Sequence, residues 1–179
     1  CARPASPGVS RMNKRSWALL LAASALAAIV GRWPLSVHPG ALPLDPNSGL
    51  HVLMVESVRH GSFTRVLGTN FPDGDPIRIV GAPAIFLAAL MADACGTSAA
   101  LELARTAWLA LQGVAVGALA VSLGLGARGA VVAGVLAVLN PFVLHACGNG
   151  QHENVVLAPL ALAVWAGLGA RPFSGQPSG

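Results

Sequence analysis

The sequence predicts an all-α protein, a polytopic transmembrane helical protein with about four spans and a long outer loop that carries juxtamembrane or re-entrant helices. Hydrophobic residues make up 54% of the chain and charged residues only 10%, against roughly 25% charged residues in soluble proteins. Four apolar stretches approach the length of about 20 residues that a helix needs to cross a bilayer. A basic cluster before the first stretch is typical of the cytoplasmic flank of a first span; it consists of Arg11, Lys14 and Arg15.

The first apolar stretch is the first predicted element. Residues 1–16 are expected to form a cytoplasmic tail, and residues 17–33 the first transmembrane helix. The basic flank and the segment Ala25-Leu26-Ala27 also fit a cleaved secretory leader. The later apolar segments favour a retained anchor.

The long outer loop, residues 34–98, contains two predicted helical segments. Apolar residues recur at helical spacing over about 46–60, directly after Asp45. This pattern predicts an amphipathic helix lying on the membrane surface. The apolar run 79–92 is short for a span, so it is predicted to be re-entrant.

Three further transmembrane helices complete the predicted fold. Gly113 and Gly117 in the second helix have the GxxxG spacing that permits close helix contact, and generic packing is the preferred interpretation. Asn140-Pro141 predicts a kink near the end of the third helix. The three helices are expected at residues 99–124, 130–146 and 155–170. The second outer loop is expected at residues 147–154, between the last two helices, and a disordered tail at residues 171–179.

Two topologies compete. If the segment 79–92 crosses the membrane, there are five spans, and Glu153 lies inside. If it does not cross, there are four spans, and both outer loops lie on the same face. The four-span arrangement puts the basic residues of the tail and of the short connections in the cytoplasm, in agreement with the positive-inside rule. It predicts a multi-pass protein of the plasma (inner) membrane with a cytoplasmic N-terminus. It leaves Arg59, Arg65, Arg78 and Arg105 in the long outer loop, and it places Glu102 on the outer side.

Several functional classes have no support in the sequence. The eleven basic residues are scattered, without the stripe of a nucleic-acid-binding protein. The sequence contains no phosphate-binding glycine loop and no GxSxG, CxxC or HExxH motif. A soluble type of enzyme is therefore not indicated, and the expected partners are membrane lipids rather than nucleic acid.

Asp45 is the first candidate catalytic residue, because a carboxylate at the membrane surface can act as a general base. Its position before Pro46 equally fits an N-cap followed by a proline at the first helical position. Glu153 and His152, on the second outer loop, would face Asp45 in the four-span topology. Asp45, His152 and Glu153 together could bind a divalent cation or a metal-bound phosphate. Alternatively, His152 and Glu153 simply lie at the solvated start of the next helix.

Three residues of the surface helix are candidates for substrate binding: Glu56, Arg59 and His60. The basic side chains can meet an anionic phosphate, or simply face lipid headgroups. His51 and His145 have no evident partner, so both are interpreted as structural. No cofactor is indicated apart from the divalent cation.

The order of these features resembles the glycosyltransferase C superfamily, which includes protein mannosyltransferases and aminoarabinose transferases. The resemblance lies in one span followed by Leu44-Asp45-Pro46, the surface helix up to Gly61, and the Pro-containing segment Gly81-Ala82-Pro83. It continues with the Arg-bearing helix start Leu103-Ala104-Arg105 and an acidic second outer loop at Gln151-His152-Glu153.

This resemblance implies a catalytic role for Asp45 and an assisting or metal-binding role for Glu153. It also implies a polyprenyl-phosphate-linked sugar as the donor, with transfer to an acceptor on the extracytoplasmic face. Members of the superfamily have many more spans, so the chain is expected to be an N-terminal fragment that is inactive alone. The alternative is a non-enzymatic multi-span protein that acts as a transporter subunit or scaffold.

Overall fold

The computed structural model describes residues 12–33, 46–63, 65–66, 75–76, 82–148, 161–162 and 164. Within these residues the protein is almost entirely helical, as the composition predicts. The helices are α1 (Lys14–Gly31), α2 (Pro46–Arg59), α3 (Ala82–Cys95), α4 (Thr97–Ser122), α5 (Ala127–Val138) and α6 (Pro141–Gly148). Two short strands, β1 (Arg65–Val66) and β2 (Asp75–Pro76), pair antiparallel between α2 and α3.

In the part of the chain that the structure describes, three segments are long and apolar enough to cross a membrane: α1, α4, and the continuous stretch Ala127–His145 that combines α5 with most of α6. The all-α, membrane-embedded architecture is therefore confirmed. The predicted fourth span, residues 155–170, lies outside the described residues except for positions 161, 162 and 164. Trp17 and Trp33 lie near the two ends of α1 and are both exposed, as in the aromatic belts of membrane helices.

The third apolar stretch is broken where the sequence predicts a kink. α5 ends at Val138, and α6 starts at Pro141. The side-chain oxygen of Asn140 accepts a hydrogen bond from the backbone N–H of Phe142 at 2.9 Å. Asn140 thereby caps α6, and Pro141 occupies a position where a missing N–H costs little.

α1, α4 and α5 pack closely through glycines. A Cβ atom at Gly113 would lie 2.6 Å from Ser24 Oγ, and one at Gly117 would lie 2.6 Å from a methyl group of Leu20. A Cβ at Gly134 would lie 2.6 Å from the carbonyl oxygen of Gly113. The GxxxG spacing thus serves helix packing. Because early residues of α1 meet late residues of α4, the two helices run antiparallel.

The position of α1 in this bundle bears on the secretory-leader alternative. Leu20 and Ser24 are fully buried against α4. Cleavage after Ala27 would remove both side chains and leave the glycine surface of α4 uncovered. The packing therefore favours a retained anchor.

α2 and α3 form a second layer against the first half of α4. Val55 of α2, Ala88 of α3 and Leu101 of α4 belong to one buried cluster. Gly96, with a φ of +83°, is the single residue that connects α3 to α4. α3 has 14 residues and is therefore about 21 Å long, which is short of the roughly 30 Å of a hydrocarbon core. Its length favours the topology in which this segment does not cross.

Arg105 differs from the charge-based topology argument, which counted it with the long outer loop. It lies inside α4 and is buried, as does Glu102, and both positions fall within the predicted second helix, residues 99–124. α4 begins at Thr97, before its two charged residues, because these residues are paired within the protein rather than hydrated.

Candidate functional site

A cluster of four buried side chains lies where α1, α2 and α4 meet. Glu102 of α4 accepts hydrogen bonds from two guanidinium groups, one from Arg32 and one from Arg105 at 2.5 Å. A second nitrogen of Arg105 lies 2.8 Å from Nδ1 of His51 on α2. Each of the four residues is less than 10% exposed. Arg32, His51 and Arg105 also make further interactions, so the network is larger than these contacts.

The local sequence explains how the cluster forms. Arg32 is the C-cap residue of α1, whereas Glu102 and Arg105 stand one turn apart near the start of α4. Since α1 and α4 are antiparallel, the end of the first meets the start of the second. His51 lies on the buried side of α2, close to its N-terminal end.

Burying these charged side chains carries a large desolvation cost. Each ion removed from water costs several kcal/mol, about as much as a well-formed buried pair regains. Such groups within membrane-spanning segments generally mark functional sites. The cluster also fixes α2 to the bundle, directly after the position of Asp45.

An apolar groove of about 300 Å³ runs between α1 and α4, next to this cluster. Its wall includes Ala25 and Ile29 of α1, together with Thr106 and Ala110 of α4. Glu102 also lines the groove. The arrangement combines a hydrocarbon-lined surface with charged groups at one end, which suits a molecule that carries a polar head on an apolar chain.

A second, half-exposed polar network connects the C-terminal end of α2 with the junction between α3 and α4. One nitrogen of Arg59 donates to both carboxylate oxygens of Glu56 at 2.9 Å, and another donates to Asp93 of α3 at 2.5 Å. Thr97, the first residue of α4, donates to Glu56. The network therefore bridges the two sides of Gly96.

The charges in this network alter the titration of its members. The hydrogen bond from Thr97 lowers the pKa of Glu56 below the ordinary value of 4.5; partial burial opposes this effect, and Arg59 adds to it. The hydrogen bond to Asp93 raises the pKa of Arg59. Glu56 and Arg59 are therefore both charged at neutral pH.

The candidates from the sequence fall into two groups. Glu56, Arg59 and His60 lie together at the end of α2, and Arg59 and His60 line a shared pocket. Asp45, His152 and Glu153 lie outside the described residues, so the proximity of Asp45 to Glu153 stays a prediction. The same three residues are the predicted metal ligands. Among the described residues, no group of three His, Cys, Asp or Glu side chains could hold a metal ion.

The buried cluster is the part of the site that sequence reasoning missed. His51 was interpreted as structural, and Arg32 was not singled out. The sequence does contain an indication of three of the cluster's members: Arg32, Glu102 and Arg105 are charged residues at the borders of apolar stretches. Such residues are costly in a membrane unless they are paired.

Comparison with known proteins gives no relative. No protein-family model, curated protein or solved structure matches this chain.

Proposed function

We propose that this chain is part of a membrane-embedded glycosyltransferase, which transfers a sugar from a polyprenyl-phosphate-linked donor to an acceptor on the extracytoplasmic face. The observation that carries the proposal is the buried cluster of Arg32, Glu102, Arg105 and His51. It attaches a surface helix to the spanning helices directly after Asp45, next to a groove of the kind that a lipid chain would occupy.

The distribution of charge supports the outer location. Lys14 and Arg15 lie at the start of α1. Arg128, at the start of α5, lies at the same end of the bundle, because α4 runs antiparallel to α1. The positive-inside rule assigns this end to the cytoplasm. The cluster around Glu102 and the helix α2 then belong to the outer side.

Asp45 would act as the general base in the transfer. It takes the proton of the acceptor hydroxyl or amine, and the oxygen or nitrogen attacks the anomeric carbon of the sugar. The bond between that carbon and the phosphate oxygen breaks, and polyprenyl phosphate leaves with the electron pair. Glu153, with His152, would organise the donor phosphate or a divalent cation that compensates its charge.

The residues of the buried cluster would have a positioning role. Arg105 holds His51 of α2, and Glu102 holds Arg105 and Arg32 together. Through these contacts α2 keeps its place relative to α1 and α4. Such preorganisation is a large part of what an enzyme contributes to a transfer reaction.

Donor binding can be tested with the whole protein in nanodiscs and a photoreactive polyprenyl phosphate. We expect labelling that unlabelled polyprenyl phosphate suppresses and that polyprenol, which lacks the phosphate, does not. Glu153→Gln should weaken the labelling. Absence of labelling, or equal competition by polyprenol, would contradict a phosphate-linked donor and favour the scaffold alternative.

The role of Asp45 requires a transfer assay in membranes that contain the whole protein. Asp45→Asn should abolish transfer from the polyprenyl-phosphate donor while the photolabelling persists. Asp75→Asn, a matched change in the same outer loop, should leave the transfer rate unchanged. A normal rate in the Asp45 variant would exclude this residue as the base.

A further inference from the structure

A pocket of about 470 Å³ lies between the C-terminal end of α2 and the outer side of α3, separate from the buried cluster. Its volume falls within the roughly 300–1,000 Å³ range of small-molecule sites. Arg59, the last residue of α2, and His60, which follows it, line one side, and Phe86, Leu90 and Asp93 of α3 line the other. The pocket thus combines aromatic, aliphatic and charged side chains.

Two aromatic rings form one wall of the pocket. Phe63, which follows α2, stacks against Phe86 with ring centroids 6.2 Å apart and an angle of 27° between the planes. Both rings remain exposed, with Phe63 at 60%. The negative face of an aromatic ring attracts cations within about 6 Å. An exposed pair of rings is therefore a surface that a positively charged group can contact.

The charges next to these rings favour a cation over an anion. Among the residues that line the pocket, Arg59 is paired with Asp93, and it is also engaged by Glu56, which lies outside the lining. The positive charge of Arg59 is thus shared by two carboxylates, and the cluster of these three side chains carries a charge of −1. The side chain of Asp93 stays 84% exposed although its Oδ1 atom accepts the hydrogen bond from Arg59. A carboxylate beside aromatic faces is the combination that recognises alkylammonium groups.

The surroundings of the pocket indicate where the ammonium group comes from. Leu90 is 84% exposed, and the neighbouring Leu87 is also exposed. α3 is joined to the membrane-spanning α4 by Gly96 alone, so the pocket cannot lie far from the bilayer surface. Apolar side chains exposed at this level contact acyl chains rather than water.

From these observations we infer that the pocket between α2 and α3 binds the ammonium headgroup of a membrane lipid such as phosphatidylethanolamine. The ammonium group contacts Phe63, Phe86 and Asp93, and the acyl chains lie along Leu87 and Leu90. This inference does not depend on the proposed sugar transfer.

The test uses the chain in nanodiscs that contain equal amounts of phosphatidylethanolamine and phosphatidylglycerol, released gently for native mass spectrometry of the bound lipid. Wild-type protein should retain phosphatidylethanolamine about tenfold over phosphatidylglycerol. Phe86→Leu and Asp93→Asn should each reduce this preference about fivefold, as expected for the loss of one cation–π or charge contact.

Phe142→Leu is the control, because Phe142 is also an exposed phenylalanine but lies on α6, away from the pocket; it should retain the wild-type preference. Far-UV circular dichroism checks that each variant is folded. Equal retention of both lipids by the wild type, or a preference that survives both pocket variants, would overturn the inference. Displacement of the lipid by millimolar ethanolamine would also overturn it, because the ligand would then be a soluble amine.

Discussion

Glu102 is the residue on which the buried cluster depends, since it is the carboxylate shared by Arg32 and Arg105. A buried charge is tolerated only when its counter-charge is close and its geometry is fixed. The exposed network around Glu56 uses the same residue types, but water screens its charges. The two glutamates therefore form a natural pair for comparison.

Glu102→Gln should lower the free energy of unfolding by about 3–5 kcal/mol, because it leaves two buried guanidinium groups without the carboxylate that they share. Glu56→Gln removes a carboxylate that is about one third exposed, so its effect should be a small fraction of that value. The measurement is denaturant unfolding in mixed micelles, followed by circular dichroism. Equal effects of the two substitutions would contradict the importance of the buried cluster.

These residues also show where prediction from the sequence ends. Arg32 and Glu102 are 70 positions apart, and nothing local indicates that they form a pair. Their contact requires the antiparallel packing of α1 against α4, which depends on three-dimensional structure. Glu56 and Arg59, in contrast, are one helical turn apart, so their proximity follows from the sequence as soon as α2 is recognised.

At the scale of the elements, small residues determine how closely the helices approach. Gly113 of α4 and Gly134 of α5 meet with backbone in contact, and Ser24 of α1 lies against the same glycine. In a membrane the hydrophobic effect does not drive helices together, so close van der Waals packing of this kind contributes much of the association energy. The GxxxG spacing in α4 was visible in the sequence, whereas the complementary surfaces on α1 and α5 were not.

Gly134→Ala should destabilise the helix bundle by about 1–3 kcal/mol, because the added methyl group meets the carbonyl oxygen of Gly113, which cannot move away. Gly49→Ala is the control, since Gly49 lies in α2 with open space around it. That substitution should stabilise the protein by about 0.5–1 kcal/mol through helix propensity. Thermal unfolding in detergent measures both, and a neutral Gly134 variant would contradict the close packing.

At the scale of the whole molecule, the charges separate to the two ends of the helical bundle. The apolar runs and this charge distribution were enough to predict the all-α, membrane-spanning architecture. Whether α3 crosses the membrane was harder to predict, because apart from Asp93 near its end this helix is apolar on all sides. Its buried side, including Ile85, Ala88 and Ala92, packs against α2 and α4, and hydropathy does not reveal this packing.

The orientation can be tested with a membrane-impermeant thiol reagent applied to intact cells. Cys95 is exposed at the end of α3 and should react from outside. Arg128→Cys, introduced after replacing Cys1, Cys95 and Cys147 by Ser, should react only after the membrane is permeabilised. Labelling of Arg128→Cys in intact cells would invert the proposed topology or add a span.

The single-residue connection at Gly96 also couples the surface helices to the thickness of the bilayer. A spanning helix adjusts its tilt when the hydrocarbon layer becomes thinner or thicker. α3 follows α4 after one residue, and Arg59 contacts both sides of that joint through Asp93 and Thr97. Because α2 and α3 are also packed against α4, a change in lipid chain length would alter the depth and angle of both surface helices relative to the bilayer together with the tilt of α4.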